Sequence, residues 1–205
     1  MARVVQAISE FDRLPMGLSV GEGQVIDALR TLDDSWTVHV QPMFGWDQPN
    51  FVVGHPDYGL CAIVVKDWSV GPYRQAYDGT IEMRSEGRWA ATTETPRYEA
   101  LWYRNTIFER FFDDDPRSEL DPTIVRGVVV LPRYTTEQAC SLLRRPQMVD
   151  RENWIMVWGG RELWRDPLTV VSGHPRPQRK IVPRDAIDRL NGLLHVDARP
   201  EPLPV

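Results

Sequence analysis

A lysine at the end of an apolar run is the side chain of this sequence best placed to do chemistry. Lys66 follows the run from Gly59 to Val65, which is typical of a strand buried on both faces. A second apolar run opens with Asn50, and Glu22 lies in the first turn of a predicted helix further upstream. Carboxylates beside a lysine can hold a divalent cation and stabilise the charge that develops on a phosphate during cleavage.

The elements that must position these side chains follow from the spacing of apolar residues. Ser19 and Glu22 match a capping box, which predicts a helix from there to about residue 32. Strands are predicted over 36–40, 51–53, 60–66, 124–131 and 154–158, a hairpin over 80–84 and 89–93, and helices over 97–112, 136–143 and 184–194. This order predicts an α/β domain with a mixed central β-sheet flanked by helices.

Alternation along the strand that ends in lysine assigns a face to each of its last residues. Side chains of one strand repeat every second residue, so residues 64 and 66 lie on the same face. Ile63 and Val65 are expected to point into the core from the other face. The expected functional face therefore carries Val64 and Lys66.

Composition narrows the class of protein. A chain of 205 residues suits one domain, and its net charge of −5 gives no overall positive field that would draw nucleic acid or a membrane. The two cysteines lie far apart without CxxC spacing, and the N-terminus lacks a signal-peptide pattern. No segment has 18 consecutive apolar residues. We therefore expect a cytoplasmic protein without a membrane partner.

The C-terminal part of the chain, 171–205, is rich in proline and contains a basic stretch. Arg176, Arg179 and Lys180 could contact the phosphates of a nucleic acid. A flexible soluble linker is the favoured interpretation of such a segment. The sequence thus predicts an irregular N-terminal segment over 1–18, a domain over 19–170 and a linker with a short helix after it.

Five segments, in this order and spacing, resemble the nuclease-related domain family, NERD, which is similar to the PD-(D/E)XK nuclease superfamily. The segments are GEGQVIDAL at 21–29, DSWTV at 34–38, NFVVGHP at 50–56, GLCAIVVKDW at 59–68 and PRYEA at 96–100. The resemblance covers roughly residues 19–165 and rests on the whole series of motifs, since none of them is specific alone.

The resemblance implies a PD-(D/E)XK restriction-endonuclease-like fold and a set of site residues. It implies catalytic roles for Glu22, Lys66 and Glu99, the last of which stands where the family has glutamine. It also implies a site for Mg²⁺ or Mn²⁺ formed by Glu22, Asn50 and the backbone carbonyl of Val65.

Two positions depart from the family pattern. Asn50 stands where the family has aspartate, and Val64 stands where it has glutamate. Asparagine can offer an oxygen to Mg²⁺ but no charge, and valine offers no ligand. The metal site is therefore expected to be weak or absent, with cleavage impaired. Asp47, Asp67 and Glu82 are candidate replacement ligands.

Three functions are open from the sequence. The favoured one is a domain in DNA processing or defence that binds DNA or docks on a helicase or another DNA-processing protein. The first alternative is an active endonuclease, dependent on Mg²⁺ or Mn²⁺, with relocated ligands. The second is a purely structural domain of a helicase-containing assembly. The tail is similar to linkers that lead into a helicase in some relatives, and the sequence itself has no Walker motif.

The same residues have structural interpretations. Glu22 can complete a capping box without any catalysis, and Lys66 could be a solvated lysine at a strand end. Asn50, which follows a proline, could be a turn residue. Trp46 and Trp68 could stack on bases near the site, although packing is the favoured role of both.

Overall fold

The computed structural model describes residues 1–5, 17–44, 47–112, 124–144 and 155–172, with the backbone alone at residues 111 and 112. The basic stretch with Arg176, Arg179 and Lys180, the helix predicted over 184–194, and Trp46 lie outside the described residues. None of the helices in the part that is described is long and apolar enough to cross a membrane.

A six-stranded mixed sheet forms the centre of the molecule. The strands of the chain are β1 (Arg3–Val4), β2 (Thr37–Val40), β3 (Phe51–His55), β4 (Gly59–Val65), β5 (Tyr73–Gln75), β6 (Ile81–Ser85), β7 (Arg88–Ala91), β8 (Val125–Leu131) and β9 (Ile155–Gly159). The central sheet has the order β1-β2-β3-β4-β8-β9, and β5, β6 and β7 form a second sheet. The strands β2, β3 and β4 pair antiparallel, whereas β4, β8 and β9 pair in parallel.

Helices cover both faces of the central sheet. They are α1 (Val20–Leu29), α2 (Pro96–Phe112), α3 (Thr136–Leu142), α4 (Gly160–Arg165) and α5 (Pro167–Ser172). Apolar residues of α1, α4 and α5 pack in one core cluster with one face of the sheet. Residues of α2 and α3 pack against the opposite face. The predicted α/β class, with a mixed central sheet flanked by helices, is confirmed.

The central strand β4 is buried on both faces, which explains its uninterrupted apolar sequence. Ile63 and Val65 pack on the side of α1, as predicted. Val64 points the other way and packs with Ala100 of α2. The expectation that position 64 faces a functional surface is therefore wrong, because α2 covers that face of the sheet as far as residue 64.

The second sheet contains the predicted hairpin. Strands β6 and β7 are joined by Glu86 and Gly87, both with positive φ angles, of 51° and 79°. Two consecutive residues in this conformation make a turn whose twist matches that of the flanking strands. The strand β5, which adds to this hairpin, was not predicted because its three residues are too few to give a pattern.

Three other elements differ from the sequence prediction. β1 lies inside the segment expected to be irregular and pairs in parallel with β2. The short helices α4 and α5 were not predicted, and α5 extends to Ser172, within the segment assigned to the linker. Val170 and Val171 are buried, so packing stabilises a helix that is too short to be stable alone.

A glycine fixes the start of β4 against β8. Gly59 has a φ of 88°, which is unfavourable for any residue with a Cβ atom. A Cβ atom at this position would also collide with the carbonyl oxygen of Ile124. Close approach of these two backbones therefore requires glycine. Nearby on β4, burial raises the pKa of the Cys61 thiol to about 12, so this cysteine packs as a neutral apolar side chain.

Candidate functional site

Glu22 is buried at the start of α1 and forms the predicted capping box with Ser19. The Ser19 backbone N–H donates to Glu22 Oε2 at 2.8 Å, and the Glu22 N–H donates to Ser19 Oγ at 3.1 Å. Only 7% of Glu22 is exposed to solvent. The capping interpretation of Glu22 is thus confirmed, and it uses one of the two carboxylate oxygens.

Asn50 joins Glu22 to the central strand β4. Its Nδ2 donates to Glu22 Oε1 at 2.7 Å, and its Oδ1 accepts from the Val65 backbone N–H at 2.7 Å. An amide can make both contacts because it carries a donor and an acceptor. Glu22, Asn50 and Val65, which the sequence analysis assigned to one metal site, therefore meet in the folded chain, although Val65 takes part through its N–H and not through the carbonyl that the resemblance implied.

Gln41 completes this arrangement and was not found from the sequence. Its Nε2 donates to Glu22 Oε1 at 3.3 Å and to the Gly17 carbonyl at 2.9 Å. Its backbone N–H donates to the Asn50 carbonyl at 2.8 Å, and its φ of 44° is uncommon for a residue other than glycine. A single glutamine in a loop after a strand gives no sequence signal for these contacts. We call Glu22, Gln41, Asn50 and the Val65 N–H the amide network.

The amide network does not fit a divalent cation. The Glu22 carboxylate accepts hydrogen bonds from three N–H donors: Ser19, Asn50 and Gln41. The Asn50 oxygen, which would have to be a ligand, already accepts from Val65. Mg²⁺ and Mn²⁺ need several oxygen ligands with free lone pairs and a net negative charge. Within the described residues, no three acidic, histidine or cysteine side chains are arranged to hold a metal ion.

Lys66 lies on the other side of the sheet, in what we call the lysine cluster with Glu94, Glu99 and Trp68. Lys66 Nζ is 3.0 Å from Glu99 Oε2 and 3.6 Å from Glu94 Oε2. The indole N–H of Trp68 donates to the same Glu94 oxygen at 2.8 Å. One ammonium thus faces two carboxylates, and the cluster carries a net charge of −1 when all three groups are ionised.

The candidate replacement ligands occupy three separate places. Asp67 accepts from the Gly21 N–H at 3.1 Å and pairs with Arg133 at 2.7 Å, on the side of α1. Asp67 therefore faces away from Lys66, as alternation along an extended chain predicts. Glu82 pairs with Arg74 at 2.7 Å in the second sheet. Both carboxylates therefore have structural partners, and Asp67, which contacts the residue next to Glu22, lies nearer to the amide network than Glu82 does.

Asp47 lies close to the helix that carries Glu99. Its Oδ2 accepts from the Trp102 indole N–H at 2.8 Å. The pKa of Tyr103 is raised by burial first, and then by the negative charges of Glu99 and Asp47. Both carboxylates are therefore near the Tyr103 phenol, which the sequence could not indicate.

Trp68 is a packing residue. It is 5% exposed, and its ring stacks on Tyr73 with the ring centres 4.4 Å apart. Stacking on a base would require this pair to separate. Packing, the favoured role in the sequence analysis, is confirmed for Trp68.

A second polar constellation lies where β3 ends. Ser35 Oγ is 2.8 Å from His55 Nε2 and also donates to Asp33 Oδ1, while His55 Nδ1 accepts from the Asp57 N–H at 2.9 Å. Because Nδ1 accepts, the ring proton lies on Nε2 and is donated to Ser35. His55 therefore cannot take the Ser35 proton, and the constellation is not a catalytic triad. The bond from Ser35 is the largest factor that lowers the pKa of Asp33.

Comparison with known protein families, with curated proteins and with solved structures finds no match for this chain.

Proposed function

We propose that this chain is a nuclease-related domain of the NERD type, with a PD-(D/E)XK-like fold, in which an amide has taken the place of the metal ion. On this proposal it does not cleave DNA. It acts as a DNA-binding or docking module in DNA processing or defence, with a helicase or another DNA-processing protein as the docking partner.

The observation that carries the proposal is the pair of hydrogen bonds made by Asn50. An aspartate at this position could accept from the Val65 N–H but could not donate to Glu22. Two carboxylate oxygens 2.7 Å apart would repel each other unless a proton or a cation lay between them. The Asn50 amide meets the same geometric requirement without any ion. This supports a domain that is stable and complete in the absence of metal.

The order of elements supports the finer fold assignment. The helix α1 leads into the three antiparallel strands β2, β3 and β4, and the helix α2 connects β4 to the parallel strand β8. The five segments on which the resemblance rests lie in this part of the fold, between the start of α1 and the first turn of α2. Glu22 opens the first helix, and Lys66 follows the last of the three strands.

The surroundings of Lys66 support loss of cleavage. A lysine that assists phosphodiester hydrolysis must place its charge beside the phosphate or the attacking water. Here the Lys66 ammonium contacts the carboxylates of Glu99 and Glu94, whose two negative charges exceed its single positive charge. A phosphate would have to displace both carboxylates to reach Lys66. With the amide network closed as well, neither half of the expected site is ready for catalysis.

One observation favours the active endonuclease as a second candidate. Asp47, a proposed replacement ligand, lies near Tyr103 together with Glu99. Rotation of the Asp47 carboxylate toward Glu99, which already contacts Lys66, would bring two oxygen ligands to one place. This candidate requires a rearrangement, since the described residues hold no group of three ligands in position.

A nuclease assay tests the proposal. Supercoiled plasmid and single-stranded DNA are incubated with Mg²⁺ or Mn²⁺ and with wild type, Lys66→Ala or Arg88→Ala, the last as an exposed control in the second sheet. We expect no cleavage beyond that seen in EDTA for any of the three proteins. Metal-dependent cleavage that is lost in Lys66→Ala and kept in Arg88→Ala would contradict the proposal and favour the active enzyme.

The binding role is tested separately. Fluorescent single- and double-stranded DNA is titrated at low salt with wild type and with a variant in which Arg176, Arg179 and Lys180 are alanine. DNA binding by wild type should weaken steeply as the salt concentration rises. The triple alanine variant, which has less positive charge, should bind DNA more weakly than wild type. Absence of binding to either DNA would remove the DNA-binding role. Co-purification of a partner protein would then support docking, either on a DNA-processing protein or as a purely structural domain.

A further inference from the structure

A cavity of about 220 Å³ lies between the second sheet, the start of α2 and the end of α3, away from the amide network. Its apolar wall is formed by Ile81, Pro96, Leu101 and Leu143. No site residue proposed above lines it. Its function would therefore be additional to, and independent of, the proposed nuclease-related role.

The volume sets the size of a ligand. An apolar cavity of about 150 Å³ is large enough for benzene. A space of about 220 Å³ therefore accommodates one ring with a small polar group attached. Polymers and dinucleotides are too large to be enclosed here, since ligands of drug size occupy pockets of about 300–1,000 Å³.

Hydrogen bonds hold the walls in place. Gln75 Nε2 donates to the Gly79 carbonyl at 3.2 Å and to the Arg144 carbonyl at 3.0 Å, which links β5 to the second residue after α3. Arg97 Nη1 donates to the Leu143 carbonyl at 3.4 Å, which links α2 to the same place. The cavity is thus preformed by contacts between three elements of the fold.

Two guanidinium groups give the cavity its charge preference. Arg97 and Arg144 both line it, alongside the apolar wall. Arg144 pairs with no carboxylate in the part of the chain that is described, where its side chain bonds to Ser141 Oγ at 3.5 Å. Guanidinium donors prefer the planar oxygens of a carboxylate. The combination of an apolar wall with guanidinium groups matches an apolar body that carries one negative charge.

We propose that this cavity binds a small organic carboxylate with a single ring, whose ring lies against Leu101 and Ile81 and whose carboxylate is held by Arg97 and Arg144.

The test uses benzoate as the probe and benzamide, which has the same shape without the charge, as the comparison. The full chain, labelled with ¹⁵N, is titrated with each compound while the backbone amide signals are followed. Benzoate should shift the signals of Ile81, Tyr98 and Leu101 with a Kd of roughly 1 mM, as expected for a ligand of this size. Benzamide should bind about tenfold more weakly or not at all, because its neutral amide cannot form an ion pair with the guanidinium groups.

Three variants assign the charge effect to the cavity. Arg144→Gln and Arg97→Gln should each weaken benzoate about tenfold, while Arg84→Gln, an exposed arginine of β6 outside the cavity, should leave the Kd unchanged. Arg144 is exposed, so its variant remains informative if Arg97→Gln fails to fold. No signal shift at about 10 mM benzoate, equal binding of benzamide, or an equal loss in Arg84→Gln would overturn the proposal. None of these outcomes depends on nuclease activity or DNA binding.

Discussion

The amide network and the lysine cluster lie at the same end of β4 but are built differently. Glu22 is 7% exposed and accepts only neutral N–H donors, each fixed by the backbone or by another buried side chain. In the lysine cluster, full charges meet near the surface, where the Glu94 side chain is 46% exposed. One region is therefore closed and nearly independent of salt, and the other is open and can rearrange.

This difference shows how a sheet can separate two polar regions that lie at the same end of one strand. Residue 65 faces α1 and residue 66 faces α2, so two groups adjacent in sequence end in different surroundings. A reacting phosphate would have to bring the two regions together. In this chain Glu22 and Lys66 each contact partners of their own region, although the buried Gln41 Oε1 has no hydrogen-bond partner among the described residues, so each region can be perturbed separately.

The largest expected effect is that of Asn50→Asp, which attacks the amide network directly. It replaces a donor by an oxygen beside Glu22 and should lower the free energy of unfolding at neutral pH by about 3 kcal/mol. One proton shared between the two carboxylates would relieve the repulsion. The folded variant then binds a proton that the unfolded chain has released, so its stability should fall as pH rises. Urea unfolding at several pH values measures this.

Asn105→Asp is the matched control for that variant. Asn105 Oδ1 accepts from Arg104 Nη1 at 2.8 Å, and a carboxylate oxygen can make the same contact. Its stability should differ little from that of wild type. Equal destabilisation by the two substitutions would mean that the bridge from Asn50 to Glu22 is not special, and the comparison between the two regions would lose its basis.

The next largest effect is a difference between two glutamates. Glu22→Ala removes half of the capping box and leaves the Asn50 amide without its acceptor, so it should cost about 2 kcal/mol of stability. Glu99→Ala removes an ion pair near the surface, where a second carboxylate, Glu94, still faces Lys66. It should cost less than about 1 kcal/mol. Thermal and urea unfolding of the two variants, measured side by side, tests this ranking. A larger loss of stability in Glu99→Ala than in Glu22→Ala would contradict it.

A smaller effect concerns salt. The stability difference between wild type and Glu99→Ala should shrink at about 1 M NaCl, because the Debye length is then roughly 3 Å. The difference between wild type and Glu22→Ala should persist, since Glu22 is buried and its hydrogen-bond donors are neutral. Urea unfolding in low and high salt checks both. Equal sensitivity to salt would show that the two regions are electrostatically alike.

The smallest effect concerns the Tyr103 phenol and is measured in the folded protein. Burial is the main cause of its raised pKa, and the charges of Glu99 and Asp47 add to it. Glu99→Gln and Asp47→Asn should each lower the pKa of Tyr103 toward its ordinary value without restoring it. Titration of the Tyr103 ring signals by NMR measures the change. If neither substitution changed the pKa of Tyr103, the placement of Asp47 and Glu99 near the Tyr103 phenol would be contradicted.

The sequence was sufficient for interactions between residues close along the chain. The capping box of Ser19 and Glu22 spans three residues, and its pattern predicted the observed hydrogen bonds. The strand that ends before Lys66 was predicted from an unbroken apolar run. Short elements such as α4 and α5 could not be predicted in this way, because burial against other helices, and not local pattern, stabilises them.

The candidate site was predicted only in part for a related reason. The resemblance predicted that Glu22, Asn50 and Val65 lie together. The hydrogen bonds that Asn50 makes depend on how β3, β4 and α1 are oriented in the fold, which the sequence does not give. Gln41 gave no signal, because its contacts span 19 and 24 residues and come from an unusual backbone conformation. Val64 was misplaced because alternation assigns a face and does not tell how far a helix covers it.

The parallel pairing of β4 with β8 has a consequence for how the chain folds. Residues 60 and 125 are partners in this pair, whereas the hairpin of β3 and β4 joins residues 55 and 59. Closing the longer loop costs more conformational entropy and must precede the contacts that compensate for it. We therefore expect the amide network, formed within residues 17–65, to belong to an early folding unit, and the docking of β8 to limit the folding rate.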